Sequence, residues 1–227
     1  RALLKAAYNL SEERYEWLSG DGASCFACLL NRLDSPTSGV VLIGLDQEVS
    51  ALVKAAFASH SVTKTYYALV RGRPKQDTEV WSDRISGGVY SKKTNRSGEV
   101  RISAETKVER LRTSVGPSTI SLLRLMPLTG RTHQLRIQCQ KRGLPIIGDQ
   151  SYGDFSFNRQ FRSQFKIKRM MLHSGETALK YTIGGKNREF RARSELPDCF
   201  LDSVGELGGS NASSKHSSVL KGRRFKV

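Results

Sequence analysis

The sequence predicts an α+β fold on a mixed, mainly antiparallel sheet with flanking helices. Three observations carry this: several apolar, strand-like stretches, only two or three helical patterns among them, and no regular strand–helix alternation of the kind a parallel sheet requires. No internal repeat is visible. At 227 residues the chain can bury a substantial core. It reads as one folded body over residues 1–201 and a basic tail, expected to be disordered, over 202–227, where Ser, Gly and Lys dominate.

The opening stretch, "RALLKAAYNLSEERYEWL", is not a secretory signal, because charges interrupt its apolar content at once. It is read as the stub of a longer precursor or as a start that follows a removed organellar leader, and no element is assigned to it. From Gly39 to Leu45, "GVVLIGL" predicts a buried strand bounded by glycine. Asp46 then caps a helix in which Val49, Leu52, Val53, Ala56 and Phe57 share one face. "KTYYALVRG", Lys64 to Gly72, is a second strand, stopped by Gly72 and Pro74. Residues 86–99 are turn-rich and basic, and read as a surface excursion. Strands follow at Ala104 to Leu111 and Thr119 to Leu125. A short helix lies in "LTGRTHQLRIQCQKRGLP", with Thr129 as N-cap and Gly143 as the stop. "ALKYTIGGKNREFRA" closes the fold as a hairpin turning at Gly184-Gly185.

Lys and Arg number 37 against 21 Asp and Glu, a net charge of +16 with a pI near 10. The tail contributes little of it: Lys215, Lys221, Arg223, Arg224 and Lys226 stand against Asp202 and Glu206. A basic body points to a polyanion, and nucleic acid is favoured over a solvated basic surface or an acidic membrane. No run approaches the roughly 18 apolar residues of a membrane span. Cys25 and Cys28 form a C-x-x-C, but Cys139 and Cys199 are single and far apart, so half of a zinc site is missing. His60, His133, His173 and His216 show no ligand spacing either. The thiols read as ordinary buried residues of a reducing compartment, and no metal is expected.

Four blocks remain: "NRLDSPTSG" at 31–39, "KTYYALV" at 64–70, "LTGRTHQLR" at 128–136 and "MLHS" at 171–174. Singly, each has a plain explanation. Asp34 is a turn-former, Tyr66 a core aromatic, Arg136 a solvated helix charge and Leu172 a core residue. Together, in this order, they resemble the RluA-type family of RNA pseudouridine synthases. The family signature H-R-L-D-x-x-T-S-G matches Arg32, Leu33, Asp34, Thr37, Ser38 and Gly39. The K-x-Y-x-A block matches Lys64, Tyr66 and Ala68, and G-R-[TS]-H-Q-[IL]-R matches Gly130 through Arg136. "GLPIIGDQSYG" and "FRARSELPDCF" are further similar pieces, so the likeness runs from about Leu29 to Leu201. Asn31 replaces the usual His and Ser174 the usual Ala. The first family strands and the small N-terminal RNA-binding domain of several members are expected to be lacking, and loss of the strands would leave a sheet edge open unless a partner covers it.

The resemblance implies that residues 1–201 are a catalytic domain with an incomplete or divergent start. It implies isomerisation of specific uridines in structured RNA without a cofactor. Asp34 would attack the uridine or take a proton from its sugar, and both routes stay open. Arg136 would pair bidentately with Asp34 and keep it ionised. Tyr66 would stack on the uracil, and Leu172 would wall the other side. Arg32 would fill the place of the flipped base. Arg131, His133 and Gln134 are further substrate-binding candidates, while Lys64, Lys92, Lys93 and Arg96 are candidates for the RNA backbone. The partners so implied are ribosomal or transfer RNA, with a ribosomal assembly intermediate as a further one, in an intracellular setting, organellar or cytoplasmic. The competing reading is an RNA-binding ribosome-assembly factor on the same fold with little or no catalysis.

Overall fold

The computed structural model of the chain describes residues 6–86, 101–114 and 118–206. Strands precede the Asp34 block, in a segment to which the sequence reading assigned no element. β1 (Ala7–Asn9), β2 (Arg14–Leu18) and β3 (Ser24–Leu29) form an antiparallel meander. The alternation Arg14-Tyr15-Glu16-Trp17 was its legible signal. Cys25 and Cys28, three residues apart on β3, fall on opposite faces of the sheet, so the C-x-x-C has no common side on which to hold a metal.

The strand expected over Gly39–Leu45 is broken into two short pieces, β4 (Ser38–Gly39) and β5 (Ile43–Gly44). β4 pairs in parallel with one sheet, and β5 antiparallel with β3 in another. Between them Asn31 takes the place of a ladder partner. Its side-chain oxygen accepts from Leu42 N at 2.7 Å and its amide donates to Val40 O at 3.3 Å. Val40 and Leu42 point inward, while Val41 and Ile43 are exposed. At Gly39, with φ +116°, a Cβ would lie 2.1 Å from Ser174 O, so only glycine lets this segment meet the neighbouring strand. Helix α1 (Gln47–Ala58) begins as expected, with the Asp46 carboxylate accepting from Val49 N at 2.8 Å.

The larger sheet has the order β11-β10-β6-β9-β8-β7, with β4 attached to β10. Its strands are β6 (Thr63–Arg71), β7 (Thr78–Ser86), β8 (Arg101–Ser114), β9 (Ile120–Pro127), β10 (Leu172–Ile183) and β11 (Lys186–Arg193). The pairs within β6 to β11 are antiparallel, as the fold class requires, and β4 with β10 makes the sheet mixed. Residues alternate along β6. Ala68 and Val70 join a core with Leu123, Leu125, Leu172 and Cys139, whereas Leu69 joins Met171, Phe157, Phe161 and Phe200 on the opposite face. The sheet is therefore covered on both sides.

One cover is α2 (Gln134–Lys141), which is shorter than expected. Thr129 is not its N-cap, because its hydroxyl donates to the Gln134 side chain and accepts from Glu105 N, and His133 holds the cap position in a left-handed conformation. The C-terminal stop is as read. Gly143 N donates to Gln140 O and Leu144 N to Cys139 O, a Schellman motif with Gly143 at φ 65°. The other cover includes α3 (Phe155–Phe165), which the sequence reading passed over although Asp154 caps it and Phe157 and Phe161 share a face. The hairpin β10–β11 turns at Gly184-Gly185, both with positive φ. Helix α4 (Asp198–Glu206) continues past Leu201, with Val204 only 2% exposed, so the packed part outlasts the boundary drawn there. Residues 207–227, the rest of the expected tail, lie outside the described residues, as does most of the basic 86–99 excursion.

Asp83 on β7 ties α2 to the sheet. Its carboxylate accepts from Arg142 Nη1 at 2.7 Å and from Gln138 Nε2 at 3.1 Å. Burial pushes its pKa up, but these donors outweigh burial and hold it below the ordinary 3.8. A depressed folded pKa adds stability above the unfolded value and loses it as pH falls through the folded one. Urea unfolding should therefore show Asp83→Asn less stable than wild type at pH 7, with the gap shrinking as pH drops below 3.8. A gap that stays constant or widens in acid would contradict the pairing.

Candidate active site

The period of two along β6 builds the first wall: Lys64, Tyr66 and Ala68 point to one face. β10 sets Ser174 opposite Tyr66 and Leu172 opposite Ala68, so Leu172 joins that face. A β-bulge between Ser174 and Glu176 sits beside it, where Gly175 passes close over the Tyr67 ring. The loop between β3 and β4 brings Asp34, closed by a turn in which Thr37 N donates to Asp34 O at 2.7 Å. Opposite stands the first turn of α2 with the preceding loop. All nine sequence-derived site residues that lie within the described chain line one cavity of about 580 Å³. Lys92, Lys93 and Arg96 lie outside the described residues.

At its floor one guanidinium serves two carboxylates. Arg136 Nη1 donates to Asp34 Oδ2 at 3.2 Å. The bidentate pair expected for Asp34 is made with Asp149 instead: Nε donates to Oδ2 at 2.7 Å and Nη2 to Oδ1 at 2.8 Å. Geometry explains the preference. Asp149 is 1% exposed and approaches the planar fork edge-on, whereas Asp34, with its side chain 26% exposed, reaches the one remaining nitrogen. Asp149 Oδ1 also accepts from Ser151 N at 2.8 Å and Tyr152 N at 3.0 Å. Burial pushes the Asp149 pKa up, but Arg136 and these amides hold it below the usual range. The hydrogen bond to Asp149, more than that to Asp34, raises the pKa of Arg136, so its charge is fixed.

Asp149 and Tyr152 were not named from the sequence. Their signal was the acid of "GDQSYG", a lone carboxylate between an apolar run and a turn. The Tyr152 ring centroid lies 5.0 Å from the Arg136 guanidinium carbon, and its hydroxyl is 3.2 Å from His133 Nδ1. His133 Nε2 is in turn 4.0 Å from Asp34 Oδ1. His133 is thus oriented by Tyr152 and faces the Asp34 carboxylate.

The other candidates divide by what their polar atoms already do. Gln134 is buried and satisfied: its oxygen accepts from Thr129 Oγ1 and Arg131 N, and its nitrogen donates to Glu105 O and Thr106 Oγ1. It braces the loop, and its amide has no capacity left for a substrate. Lys64 was assigned to the RNA backbone but stands in the cavity wall. Burial lowers its pKa below the ordinary 10.5, and its amine reaches Thr129 O at 3.5 Å. Arg131 rests on Ser103 O, and Arg32 is exposed at the rim. Burial raises the Tyr66 phenol above its usual 10.0, the Ser174 hydroxyl opposes this and the charge of Asp34 adds to it. Tyr66 therefore presents a neutral hydroxyl at neutral pH.

Comparison with known proteins bears on the family of the chain. Residues 11–141 match the family model described as RNA pseudouridylate synthase. The chain is 34% identical over 177 residues to tRNA pseudouridine synthase C of Pectobacterium carotovorum subsp. carotovorum, covering 74% of this chain and 47% of that protein. It is 33% identical over 180 residues to ribosomal large subunit pseudouridine synthase C of Escherichia coli O157:H7, covering 76% and 54%. It spans about half the length of these two relatives. Among solved structures, Human RNA Pseudouridylate Synthase Domain Containing 1 superposes with a TM-score of 0.60 at 25% identity, over 82% of each chain. A matched segment that carries the Asp34 loop, the Tyr66 strand and the Arg136 helix, together with the shared fold, places this chain in the RNA pseudouridylate synthase family.

Proposed function

We propose that this pocket isomerises uridine to pseudouridine in structured RNA, with transfer and ribosomal RNA as the substrate classes. The observation that carries the reading is Asp34, held on Arg136 at the floor of a cavity of about 580 Å³ that Tyr66 and Leu172 line from one wall. The reaction breaks the bond from the sugar to uracil N1, turns the ring and joins the sugar to C5. The C5 proton leaves and N1 gains one, so atoms and charge balance without a redox partner. Asp34 acts on the sugar or base, as nucleophile or as proton acceptor, while Arg136 stabilises its charge. Tyr66, in the cavity wall, stacks on the base and offers a neutral hydroxyl to the migrating proton. The two substrate classes are those named for the bacterial relatives.

A uridine within a stem has to leave its stack to reach Asp34, at a cost of a few kcal/mol. Arg32, exposed in the same loop as Asp34, takes the vacated position, and the net charge of +16 supplies the general attraction. The test is to incubate the protein with unmodified transfer and ribosomal RNA transcripts and to separate the nucleosides after digestion. Pseudouridine should appear with wild-type protein. Tyr66→Phe keeps the ring and loses the hydroxyl, so RNA affinity should persist while turnover drops by about 10²–10⁴-fold, the range for a lost proton-transfer group. Turnover near wild type would leave Tyr66 as a stacking platform only.

A further inference from the structure

A second concavity opens between α3 and the segment leading into β10. It encloses about 300 Å³ and is lined by Gln150, Phe155, Arg159, Arg162 and Lys168, with Arg169 at its base. Several arginines elsewhere on the molecule are engaged by acids. Arg71, Arg110, Arg124, Arg142, Arg191 and Arg193 each face a carboxylate. Among the described residues Arg159, Arg162 and Lys168 are exposed and no ion pair is formed with them. Solvated cations at a helix C-terminus complement its dipole, but Lys168 lies beyond α3, and the dipole does not explain a concavity with an aromatic rim. Phe155 supplies that rim and is 55% exposed.

The concavity adjoins the candidate active site at two points. Gln150 follows Asp149, the carboxylate that holds Arg136. Arg169 donates to Ser38 Oγ, four residues beyond Asp34. We infer that this basic, aromatic-rimmed concavity binds an unpaired stretch of the same RNA flanking the modified uridine, with phosphates on Arg159, Arg162 and Lys168 and a base stacked on Phe155. Unpaired cations beside an exposed ring are what a single strand requires, since every base has a stacking face and every linkage a charge. This inference rests on the proposed RNA substrate.

The test compares Arg159→Gln/Arg162→Gln/Lys168→Gln with an equal loss of charge on the exposed hairpin, Lys180→Gln/Lys186→Gln/Arg188→Gln. The probe is an unmodified transfer RNA transcript, with affinity measured over a salt series. Losing three single-strand phosphate contacts should lower the log–log salt slope by about 2 and weaken binding by about tenfold or more at low salt. Phe155→Ala should weaken binding by about fivefold or more without changing the slope. The hairpin variant should do neither, and the single-turnover rate at saturating RNA should stay at the wild-type level in all three. Equal weakening by both triple variants would overturn the inference, because the effect would then belong to overall charge. So would unchanged affinity in the α3 variants, or a loss of the saturated rate, which would put these residues in the active site itself. A wild-type protein that binds RNA through α3 but forms no pseudouridine would instead refute the proposed function and leave the α3 site standing.

Discussion

Asp149→Asn is expected to destabilise the protein by about 3–5 kcal/mol and to remove most of its activity, the two effects having one cause. Asp149 carries the charge opposite a guanidinium that is itself 5% exposed, and its carboxylate accepts four hydrogen bonds. An asparagine can keep the oxygen that meets Ser151 N and Tyr152 N, but its amide then points N–H groups at Arg136 Nε, donor against donor. The buried positive charge is left with Asp34 as its remaining carboxylate, through a contact that is now 3.2 Å and monodentate. Arg136 would turn toward Asp34 and alter the geometry of the floor. Urea unfolding and turnover at saturating RNA read the two consequences separately. Wild-type stability in this variant would contradict the assignment of Asp149 as the structural anchor of Arg136.

Asp34→Asn should lose activity without losing stability. Turnover is expected to fall below detection, at least about a thousandfold, because an amide neither attacks nor accepts a proton in the way a carboxylate does. Stability should change little: the Asp34 side chain is partly exposed, and Arg136 keeps its bidentate partner. RNA affinity should also persist, since phosphate contacts supply most of it. The contrast between the two aspartates is the main prediction of the shared guanidinium. Two acids touch one arginine, and the proposed reaction uses only one of them. Substantial turnover by Asp34→Asn would remove Asp34 from the reaction.

The sequence made legible whatever depended on periodicity or on a local stop signal. β6, the β10–β11 hairpin, the face of α1 and the glycine stop of α2 all follow from spacing within one segment. The alternation of Lys64, Tyr66 and Ala68 was enough to put them on one face. Less legible was what depends on contacts between distant segments. The run Gly39–Leu45 looks like a strand, but Asn31 takes over its hydrogen bonds from the side and only two short pieces pair. Thr129 looks like a helix cap, yet Glu105 and Gln134 claim its hydroxyl. The division of Arg136 between Asp34 and Asp149 depends on which acid is buried, and no local pattern reveals that. Gln134, singled out with its motif neighbours as a substrate ligand, spends its amide inside the protein for the same reason.

The most direct measurement follows the hydrogen at C5. RNA transcribed with uridine tritiated at that position should release tritium to water when mixed with the wild-type protein, one atom for each pseudouridine formed, because the new bond to the sugar replaces that hydrogen. The Asp34→Asn protein should bind the same RNA with unchanged affinity and release none. Wild-type protein that binds both transfer and ribosomal RNA but releases no tritium from either would contradict the reading of this cavity as an isomerising site.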